Sequence, residues 1–516
     1  MGGESLGYFL MSWLNPSLLL IVAIGTLSGV FVGAIPGISV TMAASILISF
    51  TFAWDVNAAL AMMVGVYVGG VYGGSRTAIL LNIPGTPAAV ASTFDGYPLA
   101  QLGEAGRAIG IATVVSVIGG YFGILILAIG APLVSDLALK FAPRDFLLLA
   151  MIGLLLVGGL SGGSLAKGIF SAALGVVIGL VGLDNLTAQP RLTFGSINML
   201  GGISYIAAMI GFFGLAEAFY QLRHVDVEPI RQKVSSIIPA WRDVRKYLPL
   251  SLRSSAIGVT IGALPGAGGD IASLIAYDQA KRTIKNPSRP FGKGAYEGLV
   301  APEAANNAVI GGAFVPMLTL GIPGDAVTAL FIGALFIHGL RPGPMLMIET
   351  PHLFWFIVGA LVLANTLLLF IGLTGVRIFT KIMAMPRGLL IPLIVLFSVV
   401  GTYTIQNSIT DVYWMITFGV LGYFMKVYGF EPGPVILGVI LGPLMDVSFR
   451  RAVLSERGDA GDFFLSFFTN PISLVLTTAF LLLILNQTPL WGKIFRRRKP
   501  LPAAGEDDRT GNGDGA

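Results

Sequence analysis

The chain holds 516 residues, 55% of them hydrophobic and 11% charged, with a formal net charge of +5 and a mean hydropathy of +0.82. An average soluble domain carries about 25% charged residues, so a soluble enzyme and a nucleic-acid binder are excluded and a polytopic membrane protein is expected. The absence of cysteine removes disulfides, thiolate nucleophiles and thiolate metal sites.

Residues 1 to 75 carry no Lys, Arg or His, and only Glu4 and Asp55 are charged. The first apolar stretch thus lacks the basic start of a secretory signal and is read as part of the mature protein. Residues 17 to 55 are apolar but broken at Pro36-Gly37, and residues 57 to 100 are broken at Pro84-Gly85. Proline removes a backbone donor and glycine permits left-handed backbone, so each pair should unwind its segment inside the membrane. The first region is read as a re-entrant hairpin and the second as one broken crossing. Ordinary helices are expected near 107–130, 146–160, 168–183 and 199–219, judged against the ~20 residues that span a bilayer.

Between Arg223 and Arg253 stand seven Lys/Arg against Asp226, Glu228 and Asp243, and between Lys281 and Lys293 stand five. The positive-inside rule makes both stretches cytoplasmic. Residues 254 to 277, broken at Pro265-Gly266, are flanked by these stretches and must enter and leave on one side, as a second hairpin. A crossing at 304–340, broken at Pro323-Gly324, is followed by helices near 353–375, 388–405, 411–425, 434–449 and 463–487. The count is about 11 crossings plus two re-entrant hairpins, with an extracytoplasmic N-terminus. Arg377 to Arg387, Lys426 and the tail Arg496-Arg497-Arg498-Lys499 then fall inside, and the polar end from Pro500 reads as disordered.

These shapes recur along the chain. Pro36 and Pro265 are 229 residues apart, Pro84 and Pro323 are 239 apart, and Pro143-Arg144 and Pro386-Arg387 are 243 apart. An odd number of crossings in the first unit turns the second upside down, so the expected fold is an all-α integral membrane bundle of two inverted-topology repeats with broken helices. The expected organisation is a first membrane repeat over 1–222, a cytoplasmic linker over 223–253, a second repeat over 254–490 and a cytoplasmic tail over 491–516.

Freed carbonyls and N–H groups are costly in hydrocarbon unless they line a protected polar cavity. Half-helix N-termini after each break present positive dipole ends to an anion, while carbonyls before each proline suit a small cation. The candidate substrate-binding residues are Pro36, Gly37, Ser39, Thr41, Arg76, Asn82, Pro84, Gly85, Thr86, Pro265, Gly266, Gly268, Pro323 and Gly324. The coupling-ion candidates are Asp270, Ser273, Asn306, Asn307, Thr319 and Asp325. The bland alternative is that the Pro-Gly pairs only kink their helices. Arg76 stands in an apolar crossing, where a charge costs ~2.5 to 3.5 kcal/mol; it either meets a carboxylate or pairs with backbone carbonyls or headgroups. Asp270 and Asp325 either couple a cation or cap the half-helices that begin beside them. Glu303 beside Asn306 and Asn307 reads as a gate, an ion ligand or a helix-start polar cluster. His224, His338 and His352 are scattered without metal-ligand spacing, so no metal site is expected.

Several longer strings resemble the large membrane subunit of tripartite tricarboxylate transporters. In the first half these are Gly73-Gly74-Ser75, Ala78-Ile79-Leu80-Leu81-Asn82-Ile83-Pro84-Gly85-Thr86-Pro87, Asp95-Gly96-Tyr97-Pro98 and Gly103-Glu104-Ala105-Gly106-Arg107-Ala108. In the second they are Ala263-Leu264-Pro265-Gly266-Ala267-Gly268, Phe291-Gly292-Lys293-Gly294, Ala301-Pro302-Glu303 with Ala305-Asn306-Asn307, and Leu320-Gly321-Ile322-Pro323-Gly324. The resemblance covers about residues 15 to 490. It implies two partners, a small four-helix membrane subunit and a periplasmic solute-binding protein that delivers an organic carboxylate. It also implies secondary import driven by a cation gradient, Na⁺ or H⁺, in a bacterial inner membrane, with no cofactor and no enzymatic activity. The chain has no phosphate-binding loop, in keeping with transport without nucleotide hydrolysis.

Three alternatives stay open at this point: a single-component carboxylate symporter, a channel, and an intramembrane aspartyl protease using Asp270 and Asp278. Against the protease, a dyad needs two carboxylates sharing one site, and Asp278 falls at the basic cytoplasmic edge.

Overall fold

The computed structural model describes residues 3–35, 39–160, 164–184, 186–222, 237–375 and 387–487. The Pro36-Gly37 break, the linker between 223 and 236, the basic stretch 377–386 and the tail lie outside the described residues. Apart from a two-residue antiparallel ladder, Gly182–Leu183 with Pro190–Arg191, the regular structure described is helical. By length and composition, five described helices are able to cross a membrane: Pro16–Gly33 (α2), Val56–Leu81 (α4), Ala105–Ala138 (α6), Pro351–Thr374 (α16) and Pro432–Ser455 (α19). A sixth is reached if Ala460–Thr469 (α20) and Pro471–Leu485 of the next helix form one bent span. On α6, Leu125, Ile129 and Leu133 recur every four residues and are exposed, an outward apolar stripe suited to lipid.

The remaining α-helices complete the order: Gly3–Leu14 (α1), Val40–Thr51 (α3), Val90–Gln101 (α5), Pro143–Leu160 (α7), Leu165–Gly179 (α8), Tyr205–Met209 (α9) and Ala216–Gln221 (α10). After them come Trp241–Gly262 (α11), Gly268–Thr283 (α12), Tyr296–Leu320 (α13), Ala326–Ile337 (α14), Leu346–Glu349 (α15), Arg387–Gln406 (α17), Ile409–Val427 (α18) and Pro471–Gln487 (α21). The run expected near 199–219 is α9 and α10 joined through a π-helical stretch, Ile210–Leu215.

Two close helix pairs form the frame, α2 on α4 and α11 on α13. Small residues permit this approach, because without side chains the backbones come within van der Waals reach. A Cβ added at Gly33 would stand 2.2 Å from the Gly70 carbonyl oxygen, and one at Gly262 would stand 2.6 Å from that of Val309. Gly33 and Gly262 are 229 residues apart, and Gly70 and Val309 are 239 apart. The helix ends match as well. α4 stops at Asn82 and α13 at Gly321, both left-handed with φ 57° and 71°. The N–H groups of Asn82 and Ile83 turn back to the Thr77 carbonyl, and those of Gly321 and Ile322 to the Pro316 carbonyl. Ile-Pro-Gly follows in both, where proline blocks continuation of the helix.

Three features depart from the sequence reading. A helix, α1, precedes the first apolar region and is tied to α16 by the Trp13 Nε1 donor on the Gly359 carbonyl at 3.1 Å. The helix expected over 463–487 breaks at Asn470 before Pro471, and its two parts meet at 94°. α11 starts at Trp241, inside the stretch read as linker, and runs through residue 254 without interruption.

Candidate functional site

The breaks deliver their half-helices to one cavity of about 770 Å³. Ser39 and Thr41 at the start of α3, Pro84, Gly85 and Thr86 after α4, Gly266, Gly268 and Asp270 around the start of α12, and Asp325 at the start of α14 all line it. Asn306 of α13 joins them. Ser39 caps α3, its hydroxyl accepting the Met42 N–H at 3.1 Å. Asp325 caps α14 in a reciprocal box with Thr328, accepting that residue's N–H at 2.8 Å. The starts of α3, α12 and α14 therefore border the same space, and helix N-termini favour negative charge.

Residues separated by the same offsets as the Pro-Gly breaks line the wall. Thr41 and Asp270 are 229 residues apart, while Tyr67 and Asn306, and Thr86 and Asp325, are each 239 apart; all six border the cavity. The first half supplies neutral hydroxyls and the second supplies an amide and two carboxylates. Tyr67 donates to the other oxygen of Asp325, so both of its oxygens have a hydrogen-bond partner. Asp270 is built differently. α12 has no side-chain cap bond, and a Cβ at Gly268 would lie 2.7 Å from Asp270 Oδ1. The φ of Gly268 is +65° and that of Gly266 is +70°, which glycine alone adopts at little cost. The Thr86 hydroxyl is buried with no hydrogen-bond partner among the described residues.

Other sequence candidates sit away from the cavity lining. Arg76 is buried; its guanidinium donates to the Gly372 carbonyl at 2.7 Å and the Tyr72 hydroxyl at 2.9 Å. Asn82 terminates α4. Pro265 faces Gly153 of α7, where an added Cβ would be 3.3 Å away. Pro323 and Gly324 are buried, with Gly324 against α11 and α13. Ser273 and Thr319 bond back to carbonyls of their own helices, Asp270 and Val315. The Asn307 amide donates to the Glu303 carbonyl at 3.1 Å. Pro36 and Gly37 lie outside the described residues.

Sequence reasoning missed Tyr67, Glu217, Tyr220, Lys426 and Glu431, all on the cavity wall. A signal existed for the charged ones: Glu217 and Lys426 interrupt or end apolar runs, and an ionisable group there marks a functional position by default. The wall holds four carboxylates, of Glu217, Asp270, Asp325 and Glu431, and one ammonium, of Lys426, among its described residues.

Outside the cavity, the two halves are joined by three carboxylates, of which Asp95 and Glu303 are buried. Asp95 accepts the N–H groups of Gly292, Gly294 and Ala295 at 2.9, 2.9 and 2.7 Å and the Tyr277 hydroxyl at 3.0 Å. Glu303 takes Ser75 at 2.6 Å, Ser116 at 3.1 Å and Ser92. Glu104, in the turn before α6, pairs with Arg289 at 2.6 Å, and this bond to Arg289 holds its carboxyl below the usual range against the opposing effect of burial.

The chain matches the tripartite tricarboxylate transporter TctA family over residues 19–437. It is 38% identical to the "Uncharacterized 52.8 kDa protein in TAR-I ttuC' 3'region" of Agrobacterium vitis over 451 residues, 87% of this chain and 89% of that protein. It is 43% identical to the "Uncharacterized protein in TAR-II ttuC' 3'region" of the same organism over 216 residues, 42% of this chain and 87% of that protein. No solved structure matches. A match over most of the chain, carried by apolar helices broken around one cavity, makes this a multi-pass membrane transporter component, and the chain belongs to the tripartite tricarboxylate transporter TctA family.

Proposed function

We propose that the chain is the large transmembrane subunit of a binding-protein-dependent secondary transporter that imports an organic carboxylate into a bacterium across its inner membrane. The proposal includes two inverted-topology repeats, a small membrane subunit and a periplasmic solute-binding protein as partners, and Na⁺ or H⁺ as the coupling ion. The observation that carries it is the cavity wall of paired positions, Thr41 with Asp270, Tyr67 with Asn306 and Thr86 with Asp325. Such pairing is what a site at the interface of two related repeats requires, since each repeat then rocks against the other around a fixed centre. The half-helix N-termini suit the carboxylate. The excess of wall carboxylates suits an accompanying cation, because an anion entering a net-negative cavity needs compensation.

Asp270 is the coupling residue in this reading. Its carboxyl stands in the first turn of α12, a helix whose N-cap Ala267 offers no side-chain cap bond, and it lines the cavity. The test is uptake of labelled citrate, succinate and benzoate by cells carrying the chain with its partner subunits, with and without collapse of the Na⁺ and proton gradients. Accumulation should disappear with one gradient. Asp270→Asn should insert and assemble but lose the gradient dependence or stop transport. Normal gradient-driven uptake by the variant would remove Asp270 from coupling, and uptake that ignores both gradients would overturn secondary transport.

A further inference from the structure

The cavity wall contains an ammonium whose role is not explained by the fold. Lys426 lies in the last turn of α18, and its Nζ bonds Glu217 Oε2 and no other oxygen among the described residues. An ammonium has three donors, so two are left over; the side chain is 26% exposed and lines the cavity. The ring of Tyr220 lies beside it at 5.7 Å. Glu217 has a second partner, the Gln221 amide on Oε1 at 2.7 Å, and therefore stays partly satisfied when Lys426 leaves. It stands two residues beyond the π-helical stretch Ile210–Leu215, a geometry found often at functional positions.

We infer that Lys426 is the receptor for the substrate's carboxylate, held by Glu217 while the cavity is empty and transferred to the substrate when it is filled. The inference rests on the carboxylate-transport reading above. Every other charged side chain on the described wall is acidic, so no alternative cation there is able to meet an anionic ligand. Glu217 acts as a stand-in carboxylate. It lowers the cost of a bare ammonium in a low-dielectric site and sets a threshold that a single weak anion does not pass. A di- or tricarboxylate exceeds it by engaging Lys426 with one carboxylate and half-helix N-termini with another.

The test uses the full chain purified with its partner subunits and carrying Ala326→Cys, a reporter on the cavity wall in a chain with no native cysteine. Protection of this cysteine from a maleimide by citrate, succinate or benzoate reads occupancy. Lys426→Gln should raise the half-protecting concentration about 10- to 100-fold, the worth of a hydrogen bond to a charged group. Glu217→Gln should lower it, because the competitor for Lys426 is gone. In a separate chain, Lys426→Cys should not transport; aminoethyl methanethiosulfonate, which restores an ammonium on the folded protein, should recover uptake, and the sulfonatoethyl reagent should not. Unchanged protection in Lys426→Gln would overturn the inference while leaving the carboxylate cavity standing. Equal weakening by Glu217→Gln and Lys426→Gln would make the pair a brace and overturn it too. If none of the three acids protects the parent chain, the carboxylate reading itself falls, and the inference with it.

Discussion

Glu303 has no exposed surface, and among the described residues its carboxyl oxygens are met by three serine hydroxyls from α4, α5 and α6. Each hydroxyl has a single proton to donate, and an ionised carboxylate has lone pairs for all three. Removing the acceptor strands three buried donors at about 1 to 3 kcal/mol each. Glu303→Ala should therefore lower stability by about 3 kcal/mol or more, and Glu303→Gln by less, because the amide oxygen still accepts and the serines are able to rotate. Thermal unfolding in detergent checks the order. Equal loss in both variants would show that volume and not hydrogen bonding sets the effect. At this scale the sequence was partly legible. The strings holding Ser75, Asp95, Glu104, Gly292 and Glu303 stood out, yet nothing in their spacing said that they meet each other. Spacing also cannot report burial: Arg76 and Lys426 both lie in or beside apolar runs, but Arg76 is enclosed beside Tyr72 and Gly372, and Lys426 faces the cavity.

The broken helices were the most legible elements, because Pro-Gly inside an apolar run has a local cause and a local result. α4, α11 and α13 all end where those pairs stand. Asn470-Pro471 is an equally local signal, since Asn-Pro favours a turn, but it stands within a run long enough to read as one helix. α1 and α3 were harder to place: each has 12 residues, too few to signal a span by hydropathy. The close packing behind the breaks yields a sharper prediction. A Cβ at Gly85 would stand 2.1 Å from the Gly33 carbonyl oxygen and 2.8 Å from Gly74 Cα; one at Gly324 would stand 2.5 Å from both the Gly262 carbonyl oxygen and Ala313 Cα. These are backbone atoms and cannot rotate away. Gly85→Ala and Gly324→Ala should each cost about 1 to 3 kcal/mol, whereas Gly130→Ala, whose nearest atom would be 4.0 Å away, should be neutral or mildly stabilising. Melting temperatures of the three variants decide it, and a neutral Gly85→Ala would mean that α2 and α4 are not held this closely.

Across the whole molecule, the loop before α13 is where the halves are tied. Asp95 holds Gly292, Gly294 and Ala295, and Glu104 holds Arg289 and the Tyr296 hydroxyl, the latter at 2.6 Å. Both acids come from the first half and both sets of partners from the second, so these bonds resist separation at one end of the bundle while the cavity lies elsewhere. Glu104 makes the tie sensitive to acid. Its bond to Arg289, helped by Tyr296 and by the charges of Arg289 and Arg107, depresses the carboxyl from its ordinary value of 4.5, with burial acting the other way. A carboxyl with a depressed folded value adds stability that is fully present above the unfolded value and is lost as pH falls through the folded one. The contribution is therefore present above about pH 4.5 and fades below it. Glu104→Gln lacks the charge at every pH. It should melt lower than the parent at neutral pH, by an amount corresponding to about 1 kcal/mol for a partly exposed pair, and the gap should close on acidification. Salt should narrow the gap at neutral pH as well, because this pair is within reach of solvent. Melting curves of parent and variant run in parallel from about pH 6 down to about pH 3 isolate this one group, since every other carboxylate titrates in both. A gap that stays constant through that window would show that the Glu104 charge does not bind the two halves together.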